Sequence, residues 1–251
     1  MRSDLTFTRL AGGPGAEHLL LLGPSLGTAV SALWGRCAEL LGDRFEVIGW
    51  DLPGHGRSPA AAGAFGVADL ADAVRLRATA LARGRRSGYA GVSLGGAVAF
   101  HLTTEPEPFE SLAAIASAPR IGDPTAWHER AELVRRAGTP VMVSGSATRW
   151  FVPGFVDREP EAAAALLTSL SEADRASYSW ACEALADFDA REQVAWATVP
   201  LLVALGEHDT VVPPGAGSRV LAGCAHLPPA EDPAAVATVL ADFFAGRAVA
   251  Q

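Results

Sequence analysis

The chain has little from which to build a covalent or metal-held framework. Its three cysteines, Cys37, Cys182 and Cys224, are odd in number and form no C-x-x-C pair. Neither a disulfide scaffold nor a zinc site is expected, and a reducing, cytoplasmic setting is the simplest home. Charge is sparse: 19% of residues are charged against 49% hydrophobic, a balance that predicts a packed globule and excludes a disordered chain. Positive charge is in deficit, with a formal net charge of −8, which argues against nucleic-acid or anionic-membrane partners. Any anionic ligand must therefore be held by local arginines. The N-terminus, Met1-Arg-Ser-Asp-Leu-Thr6, lacks the apolar core of a signal peptide. No apolar run is long enough to span a bilayer, and no internal repeat is apparent. What is present suffices for one large domain: 251 residues bury a substantial core.

Strand and helix patterns alternate along the first half of the chain. His18 to Leu22 is a short apolar run closed by Gly23-Pro24, which suits a buried parallel strand. A helix follows over Ser31 to Leu41, with Leu33, Leu40 and Leu41 on the core stripe, then a strand over Phe45 to Trp50. Val67 to Leu81 reads as an amphipathic helix, Ser87 to Val92 as a strand, Leu94 to Thr104 as a helix and Ser111 to Ala116 as a strand. From Asp123 to Ala197 the pattern is almost wholly helical. Pro124 and Pro160 begin helices, Pro140 punctuates, and Ser171 is placed as the N-cap of a third helix with Asp174 in its first turn. Val199 to Leu205 restores the strand pattern, Ser218 to Ala222 continues it, and Asp232 to Phe244 is a terminal helix. The pattern predicts an α/β fold: a doubly wound, mostly parallel sheet with an inserted helical cap. The core is assigned to residues 1–122 and 197–251, and the cap to 123–196.

Gly91-Val-Ser93-Leu-Gly95-Gly96 lies at a predicted strand-to-helix junction. A G-x-S-x-G there exposes the serine hydroxyl on a sharp turn, and its glycines remove Cβ atoms that the turn cannot house. A serine is inert near neutral pH until a base takes its proton and a carboxylate orients that base. Candidates follow in the order serine, acid, histidine: Asp209 in Leu205-Gly-Glu-His-Asp209, directly after the restored strand, and His226 before the last helix. Glu207 and His208 compete with Asp209, and His55, in Pro53-Gly-His-Gly56, is read as a structural brace. Cys224 is read as a small buried thiol. The developing oxyanion needs two N–H donors, worth roughly 3–4 kcal/mol each. One is the Leu94 amide. The other comes from Gly23-Pro-Ser-Leu-Gly-Thr28, where Pro24 has no N–H, so Ser25 is the first usable donor and Leu26 the near alternative.

At these residues the chain resembles the α/β-hydrolase superfamily and, within it, the 3-oxoadipate enol-lactonases. Ser25-Leu-Gly-Thr28 matches that family's S-L-G-T loop, and Asp51, Gly54-His-Gly56 and Ser58 match its D-x-R-G-H-G-x-S stretch. Arg120-Ile121 with Trp127 and Arg130 resembles its K-I…W-x-x-R run, and Arg149-Trp-Phe-Val-Pro-Gly-Phe155 its R-W-F-x-P-G-F signature. The resemblance implies a cofactor- and metal-free hydrolase that opens a small unsaturated lactone bearing an acetate arm. It further implies that Arg130 or Arg149 holds the substrate carboxylate, with Trp127 and Trp150 walling the pocket. The chain departs from the family at Pro24, Pro53 and Leu94. Only the 16 residues from 210 to 225 separate Asp209 from His226, leaving space for about one helical turn where the family carries a full helix. The weighed alternatives are another carboxylesterase, lactonase or C–C bond hydrolase on the same triad, and a non-catalytic ligand-binding homologue.

Overall fold

A computed structural model describes residues 5–215 and 217–246. The strands are β1 (Phe7–Ala11), β2 (His18–Gly23), β3 (Phe45–Trp50), β4 (Arg86–Val92), β5 (Ser111–Ile115), β6 (Leu201–Gly206) and β7 (Arg219–Leu221), and the apolar runs of β2 to β5 are buried on both faces. They form one sheet in the order β1-β3-β2-β4-β5-β6-β7. All pairings are parallel except β1 with β3. From β2 the chain moves outward to β3 and then returns to place β4 on the other side of β2. A crevice therefore opens at the carboxyl ends of β2 and β4, where Gly23 pairs with Gly91.

Helices α1 (Val30–Leu41), α2 (Val67–Ala82) and α3 (Leu94–Leu102) follow β2, β3 and β4. Between β5 and β6 come α4 (Pro124–Ala137), α5 (Val143–Trp150), α6 (Phe155–Arg158), α7 (Pro160–Glu172) and α8 (Arg175–Asp187). Short 3-10 turns at Thr139–Met142 and Gln193–Trp196 complete that block. The chain closes with α9 (Pro228–Glu231) and α10 (Pro233–Phe244), the latter packed on α1.

Three expectations need correction. Leu40 is 58% exposed: the buried stripe of α1 is Val30, Leu33, Trp34, Cys37, Ala38 and Leu41, and Leu40 falls just past its edge. Ser171 caps no helix. It lies inside the last turn of α7 and donates to Thr168 O at 2.9 Å. Asp174 is the N-cap of α8, its Oδ1 accepting the Ser177 N–H at 2.8 Å. Among the described residues no helical turn lies between β6 and β7, and β7 is three residues long.

β1 has no counterpart in the sequence reading. Its five residues are half-buried or exposed and give no apolar run. What fixes it is a side chain on its neighbour. Glu46 of β3 is buried and bonded to Arg9 of β1 and to Arg85, each at 2.7 Å. Burial works to raise the Glu46 carboxyl, but the two guanidiniums outweigh it and hold the group below its ordinary range.

Candidate active site

Ser93 sits between β4 and α3 with φ 53° and ψ −110°, a backbone state that a residue bearing a Cβ adopts at a cost of about 1–3 kcal/mol. The surroundings hold it there. Its N–H donates to Ile115 O at 2.9 Å, and its carbonyl accepts from Ala97 N–H at 2.8 Å and from the Ser117 hydroxyl at 2.9 Å. The turn is so tight that a Cβ on Gly91 would lie 2.1 Å from Gly95 O, and one on Gly95 2.6 Å from Pro24 O. The loop after β2 is in turn drawn onto this turn by the Gly95 N–H, which donates to Pro24 O at 2.9 Å.

In that loop the two candidate amides differ in their partners. The Ser25 N–H turns to Thr28 Oγ1 at 3.1 Å, while Thr28 Oγ1 donates back to Ser25 O at 2.9 Å. Ser25 is therefore spent in a closed turn. The Leu26 and Leu94 amides have no partner among the described residues.

Behind the serine, β6 delivers Asp209. Its Oδ1 accepts the amides of Val211 (2.8 Å) and Val212 (3.0 Å), which leaves Oδ2 for His226 Nδ1 at 2.9 Å. A carboxylate only accepts, so Nδ1 carries a proton, and it is Nε2 that bears the lone pair in the neutral ring. Both side chains are buried. The rivals for the acid's place are elsewhere: Glu207 Oε2 accepts from Gly223 N–H, and both Glu207 and His208 are exposed.

Ser93 and His226 line one cavity of about 180 Å³. Ser25 and Leu26 contribute from the β2 loop, and the helical block contributes Trp127, Arg130, Arg149 and Trp150. The four residues that the resemblance assigns to the pocket are therefore on it. The Arg130 guanidinium lies 4.5 Å from the centre of the Trp127 ring, whose Nε1–H donates to Ile121 O at 2.6 Å. Arg149 donates only to the neutral Ser146 hydroxyl, at 3.3 Å. Among the described residues neither guanidinium has a carboxylate partner. Burial and the charge of Arg130 both pull the Arg149 pKa down. A half-buried cation facing another cation attracts an anion strongly. Arg120, at the start of the block, instead pairs with Asp189 at 2.9 Å, across the two strands of chain that enter and leave it.

Tyr178, Ser146, Thr210 and Val211 also line the cavity and were not anticipated. Tyr178 projects from α8, one turn beyond the Asp174 cap, and stacks on His55 (5.9 Å, 21°). His55 braces the loop beneath: its Nδ1–H donates to Pro53 O at 2.9 Å, and burial drives its pKa down to about 4, so the ring is neutral. The same loop is ordered by Asp51, which accepts the Val30 amide at 2.7 Å and the Arg57 amide at 3.1 Å. Burial pushes the Cys224 thiol up to about 12, aided by Glu231, so it carries no thiolate at neutral pH. Among the described residues no group of three or more His, Cys, Asp or Glu is placed to hold a metal ion, and no helix is long and apolar enough to cross a membrane.

Comparison with known proteins points the same way. The model of the "Alpha/beta hydrolase family" matches residues 19–239. Two relatives from Acinetobacter baylyi are 3-oxoadipate enol-lactonase 2, 31% identical over 89% of this chain and 82% of its own, and 3-oxoadipate enol-lactonase 1, 28% identical over 84% and 78%. The crystal structure of an enol-lactonase from Burkholderia xenovorans LB400 superposes with a TM-score of 0.88 at 27% identity, covering 98% of this chain and 99% of that one.

Proposed function

Since the chain belongs to the alpha/beta hydrolase family, we propose that it is a serine hydrolase that opens 3-oxoadipate enol-lactone to 3-oxoadipate. The observation that carries the reading is the meeting, on one cavity, of Ser93 and His226 with two guanidiniums, Arg130 and Arg149, that form no ion pair among the described residues. The likeness to enol-lactonases supports it.

In this mechanism the lactone's acetate arm binds Arg149 and Arg130, and the indole of Trp127 or Trp150 covers the flat ring. His226 Nε2 takes the Ser93 hydroxyl proton as Oγ bonds to the ring carbonyl carbon. The carbonyl oxygen becomes an anion held by the Leu26 and Leu94 amides. The ring C–O bond then breaks, the His226 imidazolium gives its proton to the departing enolate oxygen, and the enol rearranges to a ketone. That rearrangement removes the nucleophile that would close the ring again. Water, giving a proton to His226, attacks the acyl-enzyme and frees Ser93. Throughout, Asp209 holds the Nδ1–H and offsets the charge of the imidazolium.

The test is loss of enol-lactone ultraviolet absorbance on adding the purified protein. Ser93→Ala leaves folding intact and removes at least ~10³-fold of turnover. Arg149→Ala lowers kcat/KM for the enol-lactone by about tenfold or more, with little loss on p-nitrophenyl acetate. Equal losses on the acidic lactone and the neutral ester would turn the reading toward a general carboxylesterase.

A further inference from the structure

Glu231, at the end of α9, is a buried carboxylate outside the triad with an unusual set of partners. Its Oε2 accepts the amides on both sides of the histidine, Ala225 N–H at 2.9 Å and Leu227 N–H at 3.3 Å. Its Oε1 accepts the Val152 N–H at 2.8 Å, from the segment that leaves α5 just past Arg149 and Trp150. The His226 amide itself donates to Trp150 O at 3.2 Å. Two hydrogen bonds therefore reach the helical block, one from the His226 amide and one through the Glu231 carboxylate, and two more tie the histidine loop to that same carboxylate.

We propose that Glu231 is a positioning residue: it sets the His226 loop against the α5 segment so that the base and the anion-binding arginines share one fixed geometry, and its negative charge favours the imidazolium. The inference rests on the reading of His226 as the base. Three amide donors satisfy both carboxylate oxygens, which is what a buried anion requires. A loop of this kind needs an external hold, because β7 gives only three residues of sheet before Gly223. The charged groups around the imidazole are Asp209 after β6, Glu231 on α9 and, on the same cavity, Arg149 of α5, Arg130 of α4 and Asp123 at the N-cap of α4. Cys224 is neutral, with Glu231, Asp232 and Glu207 near it. Burial pushes the Glu231 carboxyl up, while its amide donors and His226 draw it back toward ionisation.

The experiment compares the full-length protein with Glu231→Gln and Glu231→Asp by two readouts: NMR titration of the His226 imidazole, and the rate at which a neutral fluorophosphonate labels Ser93. Removing an anion beside the ring disfavours its charged form, so Glu231→Gln lowers the His226 midpoint, by about half a pH unit or more. Labelling slows about ten- to a hundredfold as the base loses register. Glu231→Asp keeps the charge but not the reach, so the midpoint stays while labelling slows. Coincident midpoints in parent and Glu231→Gln would overturn the inference. Should the Gln variant not fold, labelling of Glu231→Asp at the parental rate overturns it instead. A shifted midpoint in a protein whose parent never labels at Ser93 supports the role of Glu231 and sinks the hydrolase reading alone.

Discussion

Ser93 carries a positive φ that its Cβ resists, and it stays there because Ile115, Ala97 and Ser117 hold its backbone from three directions. Ser93→Gly removes that resistance and raises stability by about 1 kcal/mol, while Ser93→Ala, which keeps the Cβ, is neutral within about 0.5 kcal/mol. Urea denaturation of the two variants measures the difference, and equal midpoints would mean the turn stores no strain. Single residues were also where the sequence was most legible. The placement of Ser93, Asp209 and His226 at strand ends follows from motif and chain order alone. The proposed oxyanion donors were less so: Pro24 removes one amide visibly, but the engagement of the Ser25 amide depends on where the Thr28 hydroxyl turns, which no spacing dictates. Ser117 and Glu231 act through bonds to distant backbone, and backbone partners leave no pattern in a sequence.

At the level of elements, apolar period located β2 to β6, α1, α2, α3 and α10 within about two residues, because the strands are largely buried and these helices bury a continuous stripe. It failed where burial is partial. β1 is a half-exposed edge strand stabilised by the Arg9–Glu46 pair, an interaction 37 residues apart in the chain. Ser171 and Asp174 are both acceptable caps by residue type. Asp174 prevails because it also fits beneath the block: its amide donates to Gly54 O at 2.8 Å, while Ser177 Oγ accepts from Ala61 N–H at 2.9 Å. Asp174→Ala should therefore cost about 1 kcal/mol or more, and Ser171→Ala less than about 0.5 kcal/mol. Thermal melting of the pair checks this. A larger loss at Ser171 would return the cap to the place the sequence first indicated.

Across the whole molecule, every basic side chain other than histidine is an arginine, since the chain contains no lysine. Arginines hold their charge through the ordinary pH range, so the acid response belongs to carboxylates and histidines. His55 is the main term near neutrality. Its folded pKa of about 4 lies below the ordinary value of 6.5. As pH falls from 6.5 toward 4, the unfolded chain takes up a proton that the folded one refuses, and stability drops by about 3 kcal/mol. Glu46, held low by Arg9 and Arg85, adds a further loss only as pH falls below the ordinary carboxylate range and through its folded pKa. Denaturation midpoints between pH 7 and 4 should fall steeply in the parent and more gently in His55→Asn; identical slopes would remove His55 from the account. The division of the cavity between sheet and helices has one more consequence. In the proposed reaction an ester carbonyl sits at the sheet-borne hydroxyl while an acid group reaches the helix-borne cations, so the space between them works as a gauge. Homologous acids one or two methylenes longer are then refused by length, whatever the reactivity of their ester bond.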